Sequence, residues 1–191
     1  MRTRARHYLE ARRDHQFCMR ILVFTEGTII MHSDAAGRTR EEIVKQSSEG
    51  KESSLHDWES YVPVGGAIEK LTAWKGQGAQ ILYLTSRVKP LEIEAIRSVL
   101  HKLGFPDGGL FHRRTNEEYS DAAERANPDM ILEDDCESIG GAIETRYNHL
   151  KPEFKRKITS VTVKEFGGID GLPEDLKSLA KCADARQVSS R

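Results

Sequence analysis

The stretch Asp129-Met130-Ile131-Leu132-Glu133-Asp134-Asp135-Cys136-Glu137-Ser138-Ile139-Gly140-Gly141 decides the fold. A short apolar run after Pro128 breaks at once into adjacent acids, and a Ser-Ile-Gly-Gly turn follows. That pattern reads as a strand of a parallel sheet, buried on both faces and delivering carboxylates to its C-terminal edge. Open α/β sheets bind ligands at that edge. Acids after a strand also cap the next helix, so the segment alone leaves that reading open. Two further runs end in the same way. Arg20-Ile21-Leu22-Val23-Phe24 passes into Thr25-Glu26-Gly27-Thr28, and Gln80-Ile81-Leu82-Tyr83-Leu84 passes into Thr85-Ser86-Arg87. Three strand ends therefore carry small polar, acidic or basic groups.

Between these strands the pattern switches to helices. Gly65-Gly66 opens an amphipathic stretch with Ala67, Ile68, Leu71 and Trp74 on one face. Pro90 starts a second helix, in which Ile93, Ile96, Val99, Leu100 and Leu103 recur at helical spacing before Gly104. Leu110-Phe111-His112 reads as a weak strand, 116–126 as a helix, Gly140–Tyr147 as another helix, and Ile158–Val163 as a further strand. Pro173 is expected to begin a short closing helix through Leu179. Ser47–Ser54 reads as an exposed linker with a helix before it at Arg40–Gln46. The roughly thirty residues 32–62, between the first strand and the helix opened by Gly65-Gly66, are too many for a tight crossover and are expected to form a small helical cap insert over the sheet edge.

The chain has 191 residues and 38% hydrophobic content, enough for one sizeable core. Lysine and arginine (29) nearly balance aspartate and glutamate (30), a formal charge of −1 that offers no global basic field for nucleic acid or an anionic membrane. No apolar run approaches the roughly 18 residues of a membrane span. Cys18, Cys136 and Cys182 are widely spaced and lack metal spacing, which fits a reducing cytoplasm. Residues 1–18 are basic, with Arg2, Arg4, Arg6, Arg12 and Arg13 against Glu10 and Asp14. They are expected to form an N-terminal extension to a compact domain over 19–180, with 181–191 as a polar tail.

The strand ends suggest phosphate handling around a divalent cation. Magnesium takes oxygen ligands at about 2.1 Å and keeps several waters, so a few carboxylates and a substrate oxygen suffice. Glu26, Asp134 and Asp135 are the candidate metal ligands. Thr85 and Ser86, with turn N–H groups, are candidates to hold a phosphoryl group, and Arg87 or Arg113 to neutralise it.

These three strand ends together resemble the haloacid-dehalogenase (HAD) superfamily. Its first motif, an apolar strand followed by Asp-x-Asp-Gly-Thr, is matched by Phe24-Thr25-Glu26-Gly27-Thr28. Its second, a strand ending in Thr or Ser, is matched by Ile81 to Ser86, and its fourth, a strand ending in paired acids, by Met130 to Asp135. The order fits from Arg20 to about Leu179. The resemblance implies a HAD-like Rossmannoid three-layer α/β sandwich with a central parallel sheet and a small cap, a phosphorylated small-molecule substrate and Mg2+. In the family the first Asp is the nucleophile; here Phe24 stands in its place, which excludes a phosphoaspartyl route. The second Asp, the general acid/base, corresponds to Glu26, longer by one methylene. The third-motif cation has no clear match among Lys102, Arg113 and Arg114.

Three functions follow as expectations. One is a magnesium-dependent phosphohydrolase in which water attacks directly, with Glu26 as base or ligand and His32, His56 or Asp57 assisting. Another is a non-catalytic domain that binds a phosphorylated metabolite. The last is a partner-binding domain with Trp58 and Tyr61 as an exposed contact. Cys136 reads as a structural thiol, and Asp170 as a possible extra site group.

Overall fold

The computed structural model describes residues 18–181. The N-terminal extension, the polar tail and Cys182 lie outside the described residues, apart from Cys18 and Lys181 at their borders. Five strands form one parallel sheet: β1 (Arg20–Phe24), β4 (Gln80–Leu84), β5 (Gly109–Phe111), β6 (Met130–Asp134) and β7 (Thr159–Val163), in the order β5-β4-β1-β6-β7. A separate antiparallel pair joins β2 (Ile30–Met31) to β3 (Val62–Pro63).

The central strands are apolar throughout because both faces are covered. Alternate residues of β1 enter opposite layers. Ile21 and Val23 join Leu71, Trp74, Ile96 and Met130 on one side. Leu22 and Phe24 join Leu84, Ala122, Ala126 and Ile131 on the other. Helices α2 (Ala67–Gly76) and α3 (Pro90–Lys102) supply the first layer, and α4 (Tyr119–Ala126) the second. The result is a three-layer α/β sandwich. Trp74 is fully buried, and its indole N–H donates to the Pro173 carbonyl at 3.0 Å, so its large apolar ring carries no unpaired donor.

Register places the three polar strand ends side by side. Phe24 pairs with Leu84, and Val23 pairs with Leu132, so Glu26, Ser86 and Asp134 all emerge at the carboxyl edge. Residues 32–61 lie between the two strands of the small antiparallel pair, which ties both ends of the insert to the domain. Its one longer helix, α1 (Arg40–Glu49), is set by a capping box between Thr39 and Glu42 and stopped by Gly50 at φ 63°.

The local reading needs three corrections. Ser47 to Glu49 finish α1 instead of beginning an exposed linker, and Ser54 is buried, with its hydroxyl 2.9 Å from His32 Nδ1. Gly140–Tyr147 is not one helix: Gly140 and Gly141 adopt φ 140° and 83°, outside helical space, so short turns at Glu137–Ile139 and Ala142–Glu144 precede helix α5 (Arg146–His149). The closing helix covers 176–181, where the Asp175 side chain accepts from the Ser178 N–H at 2.8 Å; Pro173 lies outside it.

Candidate functional site

A cavity of about 310 Å³ opens at the carboxyl edge of the sheet beneath the insert. Its floor comes from the strand ends and its roof from residues 30–61. Glu26, Ser86, Arg87 and Asp134 line it, as does Phe24 at the end of β1. Phe24 packs edge-on against Tyr119, with ring centroids 5.7 Å apart, and is only 8% exposed.

Glu26 is anchored by its neighbours. The Thr85 and Thr25 hydroxyls each donate to its carboxylate at 2.6 Å, and the Ser86 N–H lies at 3.3 Å. Arg87 Nε approaches the same carboxylate at 3.4 Å, while its guanidinium lies 4.2 Å from the centre of the Trp58 ring. Thr85 also accepts from the Arg87 N–H at 3.2 Å. Thr85 is therefore committed to Glu26 and the turn, whereas Ser86 and Arg87 face the cavity.

Adjacent acids separate once the backbone is drawn. Asp134 accepts from the Thr28 hydroxyl at 2.7 Å and the Cys136 N–H at 2.9 Å, and it faces the cavity. Asp135 accepts from the Glu165 N–H at 3.0 Å and pairs with Lys164 at 2.8 Å. Glu133 is buried and accepts the N–H groups of Arg146 and Tyr147 at 2.6 and 3.0 Å. Burial pushes its carboxyl up to about 7, against the pull of those N–H groups. Burial likewise raises Asp134 and Glu165. Partial burial favours the protonated form of Asp135, yet Lys164 and the Glu165 N–H outweigh it and hold the carboxyl below its ordinary value. Burial together with Asp134, Glu133 and Glu165 pushes the Cys136 thiol up, so a thiolate is disfavoured.

The structure thus brings Glu26, Ser86, Arg87, Asp134, His32 and His56 to one cavity. Asp135 is turned toward Lys164. Arg113 lies with Arg114 and Asn116 in a separate polar depression. Asp57 is exposed and outside the cavity lining, and Asp170 accepts from the Gly66 N–H at 2.8 Å, clamping a loop to the start of α2. Tyr61 is buried, with its hydroxyl donating to the Leu55 carbonyl at 3.0 Å, so it cannot form the exposed contact expected of it. Among the described residues no group of three His, Cys, Asp or Glu side chains is placed to hold a metal ion. Glu26 and Asp134, the two candidate magnesium ligands in the cavity, each already accept two or more hydrogen bonds, and Phe24, beside them at the end of β1, offers no oxygen ligand. This donor set does not make a built magnesium site.

Sequence reasoning missed Glu133, Arg146, Tyr119 and Glu165 as cavity residues. Only Glu133 and Glu165 carried a signal, as acids at the ends of strands. Glu165 accepts from the Ser138 N–H at 2.6 Å and the Ser138 hydroxyl at 2.7 Å, pinning the loop after β6 to the end of β7.

The architecture is the expected HAD-like fold class: a five-stranded parallel Rossmannoid sheet flanked by helices. Two solved structures of the class C acid phosphatase from Bacillus anthracis are similar to it. The one with tungstate bound gives a TM-score of 0.52 at 13% identity, covering 86% of this chain and 74% of that chain. The other gives 0.51 at 13% identity, over 96% and 85%. A HAD family hydrolase from Deinococcus radiodurans R1 aligns at a TM-score of 0.41 and 10% identity, over 86% and 87%. No protein-family model matches the chain, and neither does any curated protein. Among the described residues no helix is long and apolar enough to cross a membrane.

Proposed function

We propose that this chain is a HAD-like domain that binds a small phosphorylated metabolite at the sheet edge without phosphoaspartyl turnover. The observation that carries this reading is Phe24, packed against Tyr119 at the end of β1 and inside the cavity that also holds Ser86 and Arg87. An aromatic ring can neither attack phosphorus nor ligate a metal. The arginines Arg87 and Arg146 both line the cavity and offer charge and donors to a phosphoryl group. The structurally similar bacterial acid phosphatase binds tungstate, an oxyanion, which supports an oxyanion ligand for this chain. A cytoplasmic location belongs to the same reading, from the widely spaced cysteines.

A second reading is favoured by the acids. Glu26, Glu133, Asp134 and Glu165 line the cavity and outnumber its two arginines. A phosphate would enter more easily if it arrived already paired with a divalent cation, and the protein would then be a phosphohydrolase whose metal comes with the substrate, with Glu26 as base.

Calorimetric titration with phosphate esters, in Mg2+ and in EDTA, alongside phosphate release, tests both readings. Binding that survives EDTA, weakens in Arg87→Ala and gives no release is the expected result. Release that needs Mg2+ and disappears in Glu26→Gln and Asp134→Asn would establish the hydrolase. Neither binding nor release by the folded protein would overturn both.

A further inference from the structure

The insert side of the cavity carries buried polar groups beyond those assigned above to the phosphoryl group. His32 is 1% exposed, with Nδ1 2.9 Å from the Ser54 hydroxyl, and its Nε2 is buried with no hydrogen-bond partner. Ser47 Oγ, on the last turn of α1, is also buried and unpartnered. Among the described residues only three buried side-chain nitrogen or oxygen atoms lack a partner, and two of them belong to residues lining this one cavity. Buried polar groups are nearly always paired, so two orphans at one cavity point to a partner that arrives with a ligand.

The shape of the cavity narrows what that ligand is. About 310 Å³ is at the lower end of small-molecule sites and far exceeds a single phosphate. The same cavity is lined by aromatic side chains, among them Phe24, His56, Trp58, Tyr61 and Tyr119. His56 and Tyr61 pack on Trp58 at 5.8 and 5.5 Å between centroids, and Phe24 with Tyr119 lines the same cavity from the sheet side. Flat rings fill such a space with low entropic loss, and offset or edge-on aromatic contacts favour them. Burial holds the His32 imidazole below its ordinary pKa, so the ring is neutral near pH 7. The Nε2 of a neutral imidazole is a donor in one tautomer and an acceptor in the other, and a hydroxyl can be either. Each can therefore take either role toward the polar edge of a ligand ring.

We infer that His32 Nε2 and Ser47 Oγ form a second subsite, which recognises the hydrogen-bonding edge of a flat heterocycle, so that the ligand is a phosphomonoester of a nucleoside. The inference rests on the phosphate-binding reading above and adds the identity of the organic half.

The test is titration of the full chain with inorganic phosphate, ribose 5-phosphate, 5′-AMP and 5′-CMP, repeated on Ser47→Ala and His32→Gln after a thermal melt confirms folding. Nucleotides are expected to bind at least tenfold more tightly than ribose 5-phosphate. Each variant is expected to weaken nucleotide binding by about three- to tenfold, the worth of one hydrogen bond, while leaving ribose 5-phosphate unchanged. A preference between 5′-AMP and 5′-CMP identifies the ring class. Equal binding of ribose 5-phosphate and both nucleotides, indifferent to Ser47→Ala, overturns the subsite and leaves the phosphate reading intact. If His32→Gln fails to fold, Ser47→Ala still decides the matter. No binding of any of the four probes overturns the phosphate reading itself.

Discussion

The Thr85 hydroxyl donates to the Glu26 carboxylate at 2.6 Å, joining the ends of two neighbouring parallel strands. Thr85 is fully buried, and Glu26 reaches the cavity wall from the turn after β1. One side-chain contact therefore connects the fold's central pair of strands to the site.

Removing that donor leaves Glu26 short of one partner in a poorly hydrated place. Thr85→Val is expected to lower unfolding free energy by about 1–3 kcal/mol, whereas Thr85→Ser loses much less. Urea unfolding of the two variants checks this, and equal midpoints would mean that the hydroxyl contributes nothing.

Phe24→Asp would place a carboxyl in the apolar layer of Leu22, Leu84 and Ile131 and remove the contact with Tyr119. A loss of about 2–4 kcal/mol is expected, from the forfeited ring burial and the cost of burying the acid. Chemical denaturation measures it, and an unchanged midpoint would show that the ring is not packed as described.

Glu133 makes stability depend on pH with a definite sign. Its folded carboxyl titrates at about 7 against an ordinary 4.5, so between these values the folded state binds the extra proton. This contribution is complete below about pH 4.5 and is lost as pH rises through 7. Asp134 and Glu165 are raised as well and act in the same direction. Unfolding free energy is expected to fall by about 1–3 kcal/mol between pH 5 and pH 8, and Glu133→Gln to flatten that slope. A natural chain that gains stability over this range would contradict the assignment.

Arg40 ties the insert to the loop after β6 and to the end of β7. From the first turn of α1 it pairs with Glu137, stands 4.0 Å from Asp135, and donates from Nε to the Glu165 carbonyl at 2.9 Å. Because the ion pairs are partly exposed, Arg40→Ala should cost no more than about 1 kcal/mol globally. Amide hydrogen exchange across 136–141 should accelerate severalfold, since the loop loses its tie to the insert. Unaltered exchange there would remove Arg40 as a strap.

Gly27 cannot carry a side chain without disturbing Asp134. It adopts φ 85°, and a Cβ there would stand 2.9 Å from Asp134 Oδ2. Gly27→Ala is expected to destabilise by about 1–3 kcal/mol, from left-handed backbone strain and the displaced carboxylate. A thermal melt showing no loss would mean that the turn can relax.

By itself the sequence determined the sheet strands, their parallel class and the shared edge where their polar ends meet. Those features are written in short range: unbroken apolar runs require burial on both faces, and polar or glycine-rich punctuation must fall where the burial ends. It also showed an aromatic residue, Phe24, ending the first strand, because a residue's chemistry needs no coordinates. Tertiary structure alone decided which neighbours act together. Side chains alternate along a strand, so Glu133 and Asp134 take different partners, while Asp135, past the end of β6, turns to Lys164 before Cys136 at φ 52° redirects the chain. Tyr119, Arg146 and Glu165 reach the cavity from three elements distant in sequence, and Ser138 meets Glu165 across 27 residues. Such meetings depend on how helices and loops pack over the sheet edge, and no local periodicity records them.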